Sequence, residues 1–429
     1  MRDLLAVVAE PNRRRLLELL FQGERSAGEL ARQFPSITRP AVSQHLGVLA
    51  RAGLVASRRD GRYRYYRVEP GGLAELRDTL GVFWERELEE LATAARKEPA
   101  TMTIDKSVLV PLGIDDTFAL LTEPARLRRW QTVAARIDLR AGGDYRWTIT
   151  PGHTAAGRVL EVEPGRRLVL SWGWEDSDPP SPPTSTLTVT LEPGNGGTMV
   201  RLVHEGLTAE QEVGHTEGWT HYLGRLEAAA RSGDAGPDEW AAAPDPIDRL
   251  TAAEASLAVC QRVLARLSAD DGRKTTPCRD FTVDQLVDHL EESMVRLGAA
   301  AGGQLTRSEA PDPEERIATV AQQALEAWRR RGLDGDVALG PLSLPAPVAA
   351  DILSIELLVH GWDLASASSV EITASDELAD YVLRLGQEVI SPELRASGRF
   401  DAPLDIESDA GSLERLVAYT GRQPSLVNT

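Results

Sequence analysis

Thr38-Arg39-Pro40-Ala41-Val42-Ser43-Gln44-His45-Leu46-Gly47-Val48-Leu49-Ala50-Arg51-Ala52-Gly53-Leu54-Val55, followed by Arg58-Arg59-Asp60-Gly61-Arg62-Tyr63-Arg64-Tyr65-Tyr66, decides the reading of the first hundred residues of this 429-residue chain. Thr38 is a helix-capping residue and Gly53 a stop, so the spacing predicts a helix between them. Val42, Leu46 and Leu49 fall on one face of it, and Thr38, Arg39, Ser43, Gln44 and His45 lie toward the other. Asp60-Gly61 is a strong hairpin signal between Leu54 to Arg59 and Arg62 to Val68. Upstream, Pro11 opens a helix that runs to Gly23, and Ser26 caps a second, Ala27 to Phe34. The result is helix, turn, helix and a two-stranded wing. An exposed row of hydrogen-bonding side chains after a tight turn is what reading the major groove of double-stranded DNA requires. The wing arginines Arg58, Arg59, Arg62 and Arg64 suit contact with the backbone or minor groove. Residues 73–95 carry Leu73, Leu76, Leu80, Phe83, Leu88 and Leu91 at helical spacing, which suits a dimerisation helix.

Charge supports this reading. The chain carries −18, yet residues 1–68 hold thirteen arginines and six acidic residues, so a basic module sits on a strongly acidic body. The composition, 42% hydrophobic and 26% charged, is that of a globular protein. No apolar run approaches the roughly 20 residues of a membrane span, and the N-terminus lacks a signal-peptide pattern, so the expected location is cytoplasmic. Two cysteines, Cys260 and Cys278, exclude a disulfide framework and a cysteine-rich zinc module.

Ala9-Glu10-Pro11-Asn12-Arg13-Arg14-Arg15-Leu16, Glu29-Leu30-Ala31, the Pro40 to Leu46 run and Arg64-Tyr65-Tyr66 resemble the ArsR/SmtB winged-helix regulators over about residues 1–95. That resemblance implies a homodimer that binds a palindromic operator and leaves it on an inducing signal. The Cys and His residues through which many members sense metals are missing from the second and last helices here, so the signal is expected elsewhere.

Breaks at 97–101 and 232–246 divide the chain into expected domains 1–98, 103–231 and 246–429. The second alternates strand-like segments, closing with a long helix from Ala209 to Arg231. Trp130, Trp147, Trp172, Trp174 and Trp219 fall in it, and Trp172 and Trp174, two apart, share a strand face. A curved sheet gripping one helix leaves an apolar hollow, to which His204, His215, His221 and Tyr222 can add polar groups. The expected partner is a small hydrophobic ligand bound by Trp130, Trp147, Trp172, Trp174, His204, Trp219 and Tyr222. Thr122-Glu123-Pro124, Asp138-Leu139-Arg140-Ala141-Gly142-Gly143, Leu170-Ser171-Trp172, His204-Glu205-Gly206-Leu207 and Gly218-Trp219 resemble the START-like helix-grip (SRPBCC) family, in its Hsp90-ATPase-activator branch. This implies ligand or client binding, without naming a ligand.

The third segment is mostly helical. Glu356 and His360, four apart, project from one helix face and, with His289, offer two imidazoles and a carboxylate to a divalent metal. Thr276-Pro277-Cys278-Arg279-Asp280-Phe281-Thr282, Leu286-Val287-Asp288-His289-Leu290, the Glu356 to Ala365 run and Gly421-Arg422-Gln423-Pro424 resemble the DinB-like, mycothiol-dependent maleylpyruvate isomerase group. That implies a four-helix bundle with a small α/β tail, zinc or a related metal on His289, Glu356 and His360, and mycothiol as co-substrate. Asp363, three residues beyond His360, is placed to orient it. The whole is expected to be a multidomain α+β protein. Three readings stay open: a ligand-controlled transcription regulator, a metal-dependent thiol S-transferase or isomerase with an autoregulatory DNA-binding domain, and a bundle whose metal is structural.

Overall fold

The computed structural model describes residues 4–34, 37–60, 63–77, 101–175, 185–396, 398, 400–407 and 409–424. The chain forms two compact units, residues 1–99 and 100–429.

In the first unit, Pro11–Phe21 is capped by Glu10, whose side chain accepts from the Arg13 N–H, and Ala27–Ala31 by a reciprocal Ser26–Glu29 capping box. Arg39–Arg51 is capped by Thr38, with Pro40 in its first turn, and the chain leaves it through Gly53 at φ +78°. Leu16, Leu20, Leu30, Val42, Leu46, Leu49 and Leu54 close the core. The wing strands are Val55–Asp60 and Tyr63–Val68, and Arg25–Ser26 adds a third strand to the outer side of Tyr63–Val68. Asp60 is therefore a paired strand residue opposite Tyr63, not a turn residue. Helical structure continues to Arg77; the rest of the expected dimerisation helix, like Arg62, lies outside the described residues.

The second unit contains a seven-stranded antiparallel sheet in the order Met102–Val110, Gly197–Leu207, Ser185–Gly194, Arg167–Trp174, His153–Glu163, Asp144–Thr150, Ala134–Ile137. It grips Ala209–Ser232, a 24-residue helix begun by a Thr208–Gln211 capping box and ended by Gly233 at φ +84°. Alternate strand residues, among them Tyr145, Trp147, Leu168, Leu170 and Trp172, meet Trp219, Tyr222 and Leu226 of the helix in one core. Beyond it, Arg249–Leu264, Val283–Ala300, Pro313–Arg331 and Ala346–Ser368 pack around a second core of Leu257, Leu290, Met294, Val320, Trp328, Leu353 and Leu357. The expected α/β tail is not found: the described residues after Val389 carry helices and no strand, and the strand pair of this part is instead Asp336–Leu339 with Leu342–Pro345.

The two cores of this unit meet across a seam of ion pairs. Glu314 accepts from Arg128 Nε at 2.8 Å and from Arg129, with Arg128 and Glu314 side chains 5% and 6% exposed. Glu254 accepts from Arg329 (2.6 and 2.9 Å) on its own side and from the Gly152 N–H (2.7 Å) on the other. Gly152 has φ +90°, and a Cβ there would stand 3.2 Å from Thr251 Cγ2, so glycine lets the hairpin tip approach the helix. Glu326 faces Arg136 and Arg146 at 3.3 and 3.2 Å. A buried carboxylate is tolerated only when several donors replace its water, and removing one partner strands the others. Glu314→Ala, which takes from buried Arg128 its carboxylate while Arg129 keeps Asp234, is expected to cost about 3 kcal/mol in denaturant unfolding followed by tryptophan fluorescence. Arg201→Ala, at an exposed pair with Asp105, is expected to leave the unfolding midpoint nearly unchanged.

Candidate functional site

The Arg39–Arg51 helix buries Val42, Leu46 and Leu49 and exposes Thr38, Arg39, Ser43 and Gln44. Its sequence alternates these faces at helical spacing, so the hydrophobic effect that seats the helix also turns the polar row outward. His45 is not in that row: half-buried, its Nδ1 lies 3.6 Å from the Glu10 carboxylate that caps the Pro11–Phe21 helix. On the wing, Arg59 and Arg64 are exposed, while Arg58 is held by Glu24 (2.7 Å) and Asp60 (3.1 Å) and stacks 4.9 Å from the Tyr65 ring centre. The hydrogen bonds that Arg58 donates to Glu24 and Asp60 raise its pKa further above its ordinary value.

In the helix-grip part a cavity of about 500 Å³ opens between the sheet and the long helix. Trp172, Trp174, Trp219 and Tyr222 line it, together with His215 and Trp240. Trp147 and His204 lie behind this wall, and Trp130 faces a different cavity. His204 is fully buried and its hydrogen bonds define its tautomer. Nδ1 accepts from Trp219 Nε1–H at 3.1 Å, so Nε2 carries the proton and donates to Ser185 Oγ at 2.9 Å. Burial, helped by nearby His215, pushes the His204 pKa down to about 3. His215 is likewise lowered by burial, donating from Nδ1 to the Gln211 carbonyl (2.8 Å) and accepting from Trp174 Nε1–H (3.3 Å). The histidines thus lock three tryptophan or serine groups of the wall. Trp240 escaped the sequence reading because its segment, 237–242, scans as a linker; it stacks on His221 at 4.1 Å.

The helical part brings His289, Glu356 and His360 together. Glu356 Oε2 lies 3.3 Å from His289 Nε2 and 3.8 Å from His360 Nε2, and the three donor atoms fall within 4.8 Å of one another. Asp363, buried, sits 2.9 Å from His360 Nδ1 and is itself gripped by Arg422 at 2.8 and 2.9 Å. This fixes the proton of neutral His360 on Nδ1 and turns the Nε2 lone pair toward Glu356. Burial opposes the Glu356 charge, but the facing imidazoles of His289 and His360 hold its carboxyl at about 2. Glu356 Oε2 is buried without a hydrogen-bond partner, so the donor set fits a cation. Sequence reading missed the role of Arg422 and the approach of Cys278, whose thiol lies within 4.8 Å of donor atoms of His360 and Asp363. Both cysteines are free, and burial raises the Cys278 thiol to about 11.

Comparisons with known proteins agree with two of these three places. Residues 8–58 match a helix-turn-helix domain family and residues 112–231 match the activator of Hsp90 ATPase homolog 1-like proteins. HTH-type transcriptional regulator Rv2034 of Mycobacterium tuberculosis is 49% identical over 19% of this chain and 75% of its own length. Transcriptional repressor SdpR of Bacillus subtilis is 35% identical over 15% of this chain and 72% of its own length. The solution structure of an AHSA1-like protein from Rhizobium etli is 38% identical, covering 33% of this chain and 89% of that one, with a TM-score of 0.29. The chain belongs, through its first domain, to the HTH-type transcriptional regulators. It carries in addition an AHSA1-like domain. Among the described residues no helix is long and apolar enough to cross a membrane.

Buried neutral His204 predicts a pH dependence. In the unfolded chain imidazole titrates near 6.5, so as pH falls the unfolded state takes up a proton that the folded state refuses. The stability this residue contributes is complete above pH 6.5 and declines below it, by about 2 kcal/mol at pH 5. Urea unfolding between pH 7 and 5 should show this loss in the parent protein and a shallower one in His204→Gln. Equal slopes would refute the assignment.

Proposed function

We propose that the chain is an operator-binding regulator of the ArsR/SmtB type, a homodimeric repressor whose hold on DNA is set by a small hydrophobic molecule in the aromatic cavity. The observation that carries this reading is the exposed Arg39, Ser43 and Gln44 face of a helix whose opposite face is core, beside an arginine wing. The names of the relatives support the regulator part, and the 500 Å³ cavity walled by Trp172, Trp174, Trp219 and Trp240 supports a ligand-taking part. Gln44 reaches base edges and Arg59 a phosphate, so the two variants separate specificity from affinity. In gel-shift titrations against the gene's own promoter region, Gln44→Ala should lose about tenfold or more on the operator and little on random DNA. Arg59→Ala should lose equally on both, with a shallower salt dependence. Absence of salt-sensitive, sequence-specific binding by the parent protein would sink the proposal.

A second reading is favoured by the convergence of His289, Glu356 and His360. We infer that these residues hold a divalent metal, zinc by the borderline softness of its donor set, in a DinB-like bundle. Bound there, the ion would supply Lewis acidity toward a low-molecular-weight thiol such as mycothiol, the requirement of a thiol S-transferase or isomerase. This chain's own contribution is orientation: Arg422 fixes Asp363, and Asp363 fixes the His360 tautomer. Purified protein should contain about one metal per chain, His360→Ala should lose it, and Asp363→Asn should weaken affinity roughly 10- to 100-fold. Equal metal content in the parent and His360→Ala would remove the site.

A further inference from the structure

The aromatic cavity, at about 500 Å³, has room for a drug-sized molecule, and its lining discriminates among kinds of occupant. A wall that had only to be apolar would be built like the core directly behind it, where leucine and valine predominate. Instead the cavity has, among the described residues, one aliphatic side chain, Ile149, against Trp172, Trp174, Trp219, Trp240 and Tyr222. The indole N–H groups are turned away from it. Those of Trp174 and Trp219 are spent on His215 (3.3 Å) and His204 (3.1 Å), and Trp172 Nε1 is buried within the wall. These rings therefore offer the cavity carbon, with π systems whose faces carry negative charge density. Trp240 is 45% exposed, yet the parallel His221 ring 4.1 Å away holds it in place.

Along the long helix the wall is thinned. Gly214 and Gly218, about one turn apart, both line the cavity, and a Cβ added at either meets nothing within 4 Å. Glycine inside a helix is less stable than alanine, so two of them where side chains would fit make sense as space kept for an occupant. Charge narrows the choice further. No lysine or arginine stands among the described lining residues, and the one carboxylate is that of Glu210, exposed at the start of the helix. Burial lowers His204 and His215, which leaves both imidazoles neutral at pH 7. An anion entering here meets a carboxylate and no counter-charge. A cation meets Glu210 and indole faces, the best side-chain partners a cation has outside the carboxylates.

We propose that the aromatic cavity takes an organic cation with an apolar body, of the quaternary ammonium or phosphonium kind, its charge set against the indoles and its body against the Gly214 and Gly218 stretch of the helix. This rests on the reading of the cavity as a ligand site and adds the charge of the ligand.

Calorimetric titration of the full chain with tetraphenylphosphonium and tetraphenylborate tests this, since the two ions share size, shape and apolar surface and differ in the sign of their charge. Benzyltrimethylammonium and phenylacetate form a smaller pair. In at least one pair the cation should bind 1:1 and at least about tenfold tighter than the anion. It should still do so in about 0.5 M NaCl, which screens attraction to the acidic surface. Gly218→Leu fills the open space with a good helix former, so it should unfold no lower than the parent and lose at least about tenfold in cation affinity. Trp240→Leu keeps the wall apolar and removes one π face, and should likewise cost the cation about tenfold. Equal binding of the two charges, or tighter binding of the anion, would overturn the cationic assignment while leaving the cavity a ligand site. Cation binding abolished by salt, or undiminished in Gly218→Leu or in Trp240→Leu, would put the cation elsewhere and overturn the proposal. Failure of all four ions to bind at about 1 mM would overturn the ligand-site reading beneath it as well.

Discussion

The second unit depends on carboxylates that cross from one core to the other. Glu314 and Glu254 belong to helices of the bundle, yet Glu314 is satisfied by Arg128 and Arg129 and Glu254 in part by the Gly152 amide, all of the sheet part. Taking a carboxylate out of water costs several kcal/mol, which only multiple, well-placed donors return. Neither partner surface is therefore comfortable alone. Two hydrophobic cores, each closed by its own residues, become one mechanical body because their charged rims are complementary and buried.

The same logic shapes the functional residues. Ala346–Ser368 is apolar on nearly every side, and its Gly361 packs against Cys260. A helix buried all round has no solvent to absorb a charge, so Glu356, His360 and Asp363 each need a named counterpart. Asp363 has Arg422 and His360; Glu356 has two imidazoles, both facing its Oε2. In the sheet part burial favours neutral His204 and His215, which connect indole N–H groups to the Ser185 hydroxyl and the Gln211 carbonyl and so tie the aromatic wall to its surroundings.

Much of this was legible in local sequence. Ser26 with Glu29 and Thr208 with Gln211 mark helix starts wherever they occur, since a cap acts within four residues. The spacing of Val42, Leu46 and Leu49, and of Glu356 and His360, carries enough periodicity to place the reading helix and two of the metal-site side chains. The Ile114–Thr122 helix and the Ala134–Ile137 edge strand were missed, being short and held by their neighbours rather than by propensity. The tail was misread as partly β, and the actual pair at 336–345 is only four residues a side. His45 looked like a reader because its position on the helix is known from sequence, but its capture by Glu10 depends on another helix. The ion-pair seam joins residues about 186 apart, and nothing in either stretch announces the other.

Trp240 belongs to the stretch between the long helix and the bundle, yet it forms part of the wall of the aromatic cavity, and the following residues line the seam. A gene fragment ending after Ser232 would encode every strand and the gripping helix while omitting a side of the chamber they enclose. The joining stretch has thus become a shared organ of its two neighbours. In this chain, parting the two modules before Trp240 would leave the sheet module with that side of its chamber open.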